Sequence, residues 1–373
     1  MEAIFAILGI ILVVAAVWEG IETLVLPRTV DRRVSITTIY YRLCWGFVRG
    51  IARRLRNHSL QQRILSAYSP LSLLILIAFW ALMIVFGYAL IFYGFRVPFT
   101  NGVLPSFPQL LYASGVTFFT LGYGDLTPIT GAGHTIAVLE AANGFGFLGL
   151  LIGFVPVLYG TFSRREACIL LLDSRAGSEP TAFEIIRRHA ESDAWPELIQ
   201  LLKSWEEMAA SLLESYISFP VLAYYRSQHL DQSWLRAMTT IMDTCSLIES
   251  AYDTDDPYAK SLRFQARNTF AMGRHLLVDI SYILGASPDP NIPSRLAETE
   301  SIPMRARLRE FGAPLRTCLP SEAHFEGVRR EYEPFSQALA EEILLELSPW
   351  FPEHEKPDNW QISAWDGASH FLN

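Results

Sequence analysis

The chain has 373 residues, 51% of them hydrophobic, and a net charge of −8. Its mean hydropathy of +0.23 lies above the range of ordinary soluble domains, and the length allows two or three domains. The acidic balance argues against nucleic-acid binding.

The apolar excess is localised, and the elements follow in chain order. Residues 3–18 (AIFAILGIILVVAAVW) begin a first membrane span that reaches Pro27 if Glu19 and Glu22 are tolerated at its inner end. The residues ahead of it carry Glu2 and no Lys or Arg, which does not fit a cleaved signal peptide. Nine arginines then lie between Arg28 and Arg63 against one acid, Asp31. Within this stretch, residues 35–57 mix aromatics, leucines and arginines at helical spacing. They read either as an amphipathic helix on an anionic inner leaflet or as a positive linker. Residues 71–94 carry no charge over 24 positions. As a helix they measure about 36 Å, enough to cross a hydrocarbon core of about 30 Å. A helix over 107–119, opened by Ser106 and Pro108, is too short to cross. Residues 133–162 form the next span, with a single acid, Glu140, and with Arg164 and Arg165 directly after it.

The arginine asymmetry sets the expected orientation: residues 28–69 and everything after 163 face the cytoplasm, and the N-terminus faces outward. Up to Arg165 the chain holds 12 basic and 6 acidic residues, and the remainder 18 and 32. The acidic remainder, 166–373, reads as mostly helical, with patterns near 181–193, 196–226, 232–253, 257–284 and 321–348 and a break at 285–294. ACILLLD at 167–173 is the best strand candidate and fits a helix start equally. The last twenty residues read as a polar tail. The four cysteines, Cys44, Cys168, Cys245 and Cys318, form no CxxC pair, so neither a disulfide framework nor a zinc site is expected. No P-loop, HExxH, GxSxG or kinase set appears, so no enzyme is expected. The isolated histidines read as surface or core groups.

The sharpest stretch is Thr117–Asp125, TFFTLGYGD. A short helix, a glycine-rich extended segment and a polar exit between two full spans describe a re-entrant loop. Such backbone is tolerated at membrane depth only where it is buried in protein or lines water. Alternate glycines accept backbone angles other residues resist, and inward carbonyls can replace the hydration shell of a cation.

The T-x-x-T-x-G-Y-G-D pattern resembles the potassium-channel signature, and residues 70–165 resemble the bacterial two-transmembrane pore type. The resemblance implies an all-α membrane protein with an outer helix 71–94, pore helix 107–119, filter 120–125 and inner helix 133–162. An N-terminal transmembrane helix (1–27) and a basic linker (28–69) precede this pore domain (70–165), and an acidic helical cytoplasmic domain (166–373) follows it. It implies that K+ meets the hydroxyl and carbonyl of Thr120 and the carbonyls of Leu121, Gly122 and Tyr123. Gly124 would supply permissive backbone at the mouth. Asp125 would hydrogen-bond behind the filter, with Thr117 in support. Leu121 stands where the family more often has Val or Ile. Val116 stands where some members carry a glutamate that pairs with the aspartate, so that pairing is not expected here. One such chain supplies a quarter of a filter, which implies a homotetramer in a cell membrane, multi-pass and of the bacterial inner-membrane kind. Its partners are K+ and lipid, with anionic lipid at Arg28–Arg63, and no cofactor is expected.

Gly144-Phe-Gly146-Phe-Leu-Gly149 matches GxGxxG, but no strand precedes it and it lies in an apolar span, so no dinucleotide site is expected. Gly144, Gly149 and Pro156 read as gating hinge points or as sites of close helix packing. Glu140 reads either as a carboxylate that tunes conduction or pH response, or as a neutral hydrogen-bonded acid behind the pore helix. The acidic domain reads first as an assembly or docking module and second as a ligand-gating one. An enzymatic domain anchored or regulated by the channel is the alternative from another class. No arginine ladder crosses an apolar span, so voltage sensing is not expected.

Overall fold

The computed structural model describes residues 2–24, 36–177, 180–227, 232–253, 255–316 and 319–351. Arg28, Asp31, Arg32, Arg33, Cys318 and the tail from 352 lie outside them. Among the described residues the protein is all-α, with two isolated bridges in place of any sheet. It divides into two compact units, Met1–Gly160 and Thr161–Asn373.

The first unit holds α1 (Glu2–Leu24), α2 (Ile36–Arg54), α3 (His58–Gly94), α4 (Phe107–Phe118) and the first part of α5 (Gly131–Ala176). The helices α1, α3 and α5 are each long and apolar enough to cross a membrane. Helices α1 and α3 run antiparallel at very short range. A methyl added at Gly9 would lie 2.4 Å from the Gly87 carbonyl oxygen, and one at Gly94 would lie 2.4 Å from the Ala6 nitrogen. Small residues permit such approach where no hydrophobic driving force joins helices in lipid. Glu2 and Arg96 pair at 2.9 Å at one end of this couple. At the other, buried Glu19 accepts from the Thr37 hydroxyl at 2.9 Å. Helix α2 is therefore held to the spans, and Trp45 packs on Tyr68 with ring centroids 5.0 Å apart.

Two elements run further than the sequence pattern indicates. Helix α3 begins at His58 rather than Leu71 and carries Pro70 within it, so residues 58–69 are helix and not linker. Asn57 caps it, its side chain accepting from the Leu60 N–H at 3.2 Å. Helix α5 spans 46 residues, from Gly131 to Ala176, and absorbs the strand candidate 167–173. Both extensions carry charges, Arg63 in the one and Arg164, Arg165, Glu166, Asp173 and Arg175 in the other, so a hydropathy criterion stops short of them.

The second unit comprises the end of α5 with α6 (Ala182–Glu191), α7 (Trp195–Ser218), α8 (Trp234–Ala251), α9 (Ala259–Leu284), α10 (Glu298–Glu310), α11 (Leu319–Arg330) and α12 (Glu333–Ile343). The pattern over 321–348 divides into α11 and α12 at Glu331–Tyr332. Helix α10 has no counterpart in the sequence reading; it is polar and carries Pro303. Helix α9 ends on Gly285 at φ 73, with the Ala286 N–H donating to Ser281 O at 2.9 Å, as a left-handed helix cap requires. Arg165 is buried in this unit instead of facing solvent. It donates to Tyr216 Oη at 3.1 Å, Leu222 O at 3.0 Å and Tyr225 O at 2.8 Å, and pairs with Glu166 at 2.9 Å. A second buried network joins Asp243, Arg295, Tyr332, Glu333 and Arg329 beside Trp350.

Candidate functional site

The glycine-rich stretch begins where α4 stops. The Ser106 N–H donates to Gln109 Oε1 at 2.9 Å and opens the helix as a capping box. At the other end the Leu121 N–H donates to Val116 O at 2.9 Å and the Thr120 N–H to Thr117 O at 3.0 Å. These two bonds form a Schellman motif with Thr120 in the left-handed position, at φ 57. Glycine normally takes that place, and a β-branched residue there is strained by about 1–2 kcal/mol.

Left-handed φ then recurs at Gly122 (62) and Gly124 (77), alternating with ordinary values at Leu121 and Tyr123. An alternation of left- and right-handed residues can turn successive peptide groups to one side of the chain. In the single chain Leu121 is 56% and Tyr123 68% exposed. The stretch therefore lies uncovered, and a methyl added at Gly122 or Gly124 would meet nothing within 4 Å.

Its surroundings are fixed from both sides. Tyr112, two turns before the end of α4, donates from its hydroxyl to Asp125 Oδ2 at 3.0 Å. Beyond Asp125, the Ile129 N–H donates to Pro98 O at 3.2 Å and the Thr127 N–H to Thr100 Oγ1 at 3.0 Å. The segment leaving the loop is thereby tied to the one leaving α3. Thr117 does not reach the loop with its hydroxyl, which donates to Ala113 O at 2.9 Å in its own helix.

Behind α4 stand α3 and α5. Gly144 lies against the end of α4, where an added methyl would sit 2.0 Å from the Phe118 carbonyl oxygen. Phe147 packs on Phe118 at 5.8 Å, and Asn143 donates to the Tyr88 hydroxyl at 2.6 Å. Gly149 has open space around it, and α5 continues unbroken through Gly144, Gly149 and Pro156. Glu140 is wholly buried and touches Ser114, which also donates to Val85 O at 2.7 Å. Tyr112, Ser114, Tyr88 and Asn143 are thus site residues that the sequence reading did not single out.

The fold and this loop define an all-α membrane protein with a short helix and a glycine loop set between two spans. Residues 75–158 match the family described as Ion channel, less than a quarter of the chain. The match supports an ion channel. A 214-residue stretch is 23% identical to "Uncharacterized membrane protein YdjJ" of Bacillus subtilis (strain 168), covering 55% of this chain and 62% of that one. The chain thus spans less than two thirds of that relative's length. No solved structure matches the chain.

Proposed function

We propose that four copies of the chain form a potassium-selective channel, each supplying one strand of a carbonyl-lined filter from Thr120, Leu121, Gly122, Tyr123 and Gly124. The alternation of left-handed φ at positions 120, 122 and 124, at the end of a helix too short to cross the membrane, carries this reading. Carbonyls spaced along such a strand match an ion that must shed its water at little cost and leave again. One strand cannot surround an ion, which is why the proposal requires copies.

Helix α5 supports the assembly. Val138, Phe145, Ile152 and Tyr159 stand seven residues apart and are 63–73% exposed. With Leu148 and Val155 between them they form the 3.5-residue seam that suits packing of parallel copies around an axis. The second unit, into which α5 continues, is proposed to serve assembly or gating.

Helix α2 supports contact with anionic lipid. Its Trp45 face is buried, and the Tyr40 hydroxyl donates to Ser72 O at 2.7 Å, beside the start of the uncharged span. Ile39, Leu43, Phe47 and Ile51 form an exposed apolar stripe, flanked by exposed Arg42 and Arg53. An apolar face edged with arginine at the hydrocarbon boundary suits an anionic inner leaflet, with the N-terminus outside.

Flux from liposomes holding purified full-length protein tests the function. Potassium efflux should exceed sodium efflux by at least about a hundredfold, and Gly122→Ala should abolish it. Equal efflux of the two ions would refute selectivity.

A further inference from the structure

Glu140, Ser114 and Val85 bring α5, α4 and α3 together at one point behind the pore helix. Ser114 and Glu140 are both fully buried. The Ser114 hydroxyl lies 2.7 Å from Val85 O and in contact with Glu140 Oε1, and Glu140 Oε2 has no hydrogen-bond partner. A hydroxyl owns one proton, and a backbone carbonyl can only accept. If Ser114 donates to Val85 O, the proton in its contact with Glu140 belongs to the carboxyl group. The reverse assignment leaves an ionised carboxylate with a bare, buried oxygen, an arrangement proteins avoid unless a cation is near. Among the described residues no Arg, Lys or His pairs with Glu140. The titratable group near it is the Tyr88 phenol on α3, itself held by Asn143 on α5; α4 contributes the Ser114 hydroxyl.

We propose that Glu140 is a positioning residue that works as a neutral hydrogen-bond donor, latching the pore helix to the inner helix through Ser114. The inference rests on the channel reading for its consequence. The pore helix ends in the filter six residues after Ser114, so losing the latch frees the strand on which ion coordination depends. In the ionised state Glu140 competes with Val85 O for the one Ser114 proton, and one of the three helices lets go. The device joins the inner helix to the filter by a single proton.

The test uses the full chain as wild type, Glu140→Gln, Glu140→Ala and Ser114→Ala. Glu140→Gln keeps a donor toward Ser114. It should retain potassium preference over sodium, whereas Glu140→Ala and Ser114→Ala should lose at least about fivefold. As pH rises, wild-type flux should fall with ionisation of the carboxyl while Glu140→Gln stays flat. A role in packing alone would not produce that difference. Glu140→Gln as impaired as Glu140→Ala, or identical pH profiles for wild type and Glu140→Gln, would overturn the proposal. The infrared carbonyl band of a protonated carboxylic acid, present in wild type and absent in Glu140→Gln, reads the same proton without conduction. Its absence from wild type would equally refute the latch. A wild type that shows the band but passes no ions would instead refute the channel reading and leave the proton assignment standing.

Discussion

The Tyr112 hydroxyl, about two turns before the end of α4, donates to Asp125 Oδ2 at 3.0 Å across the glycine loop's length of sequence. This contact ties the far end of the loop to the helix that precedes it. Tyr112→Phe removes the donor and keeps the ring. The bond is solvent-accessible, so its loss should weaken the hold on the loop without threatening the fold. We expect a fewfold drop in potassium-over-sodium preference in flux assays with assembly unchanged; full preference in Tyr112→Phe would deny the contact a role.

Gly144 and Gly149 separate two kinds of glycine. An alanine at 144 meets the Phe118 carbonyl oxygen, a backbone atom that cannot step aside, whereas one at 149 meets open space. Gly144→Ala should destabilise the pore by about 1–3 kcal/mol, visible as loss of assembled protein on size-exclusion chromatography in detergent. Gly149→Ala should leave assembly intact and favour the helix by up to about 1 kcal/mol. Equal effects at both positions would contradict this packing.

Arg165 is buried among carbonyls, a phenol and Glu166, while its neighbour Arg164 is exposed. Arg165→Met leaves those acceptors without a donor and should cost about 3–5 kcal/mol. Arg164→Ala should stay within about 0.5 kcal/mol. Thermal unfolding of the full chain distinguishes them, and similar melting temperatures would refute the anchor.

His189 on α6 is buried, with Nδ1 2.7 Å from Ile185 O. Burial holds its imidazole below the ordinary range. The unfolded chain, titrating near about pH 6.5, therefore binds the proton more readily. The contribution to stability is complete above that value and is lost as pH falls through it toward the lower folded-state value. His189→Gln should flatten this part of the stability profile between about pH 7.5 and about pH 5.5. An unchanged slope would show that the proton is taken up elsewhere.

The sequence made the membrane architecture legible because an uncharged run and a short capped helix are strong one-dimensional signals. The residues 120, 122 and 124 were legible as a group through their spacing and chemistry. The partners behind them were not. Ser114 and Glu140 are 26 positions apart, and Tyr112 and Asp125 are 13 apart on a chain that doubles back between them. Only the meeting of α3, α4 and α5 brings Ser114 and Glu140 together, and only the loop's return brings Asp125 to Tyr112. Arg165 misled in the opposite direction: next to an apolar span it reads as an interfacial charge, yet tertiary contacts bury it. Helix α10 escaped because its residues alternate polarity without a 3.6-residue stripe, and it is held by Arg305, which pairs with Glu322.

The central claim is that the Thr120–Gly124 backbone selects potassium over sodium. Its most direct measurement is the reversal potential of reconstituted full-length protein in a planar bilayer with potassium on one side and sodium on the other. The account predicts a reversal displaced from zero by more than about 100 mV, as a preference near a hundredfold or more requires. A reversal at zero, with measurable current, would contradict it.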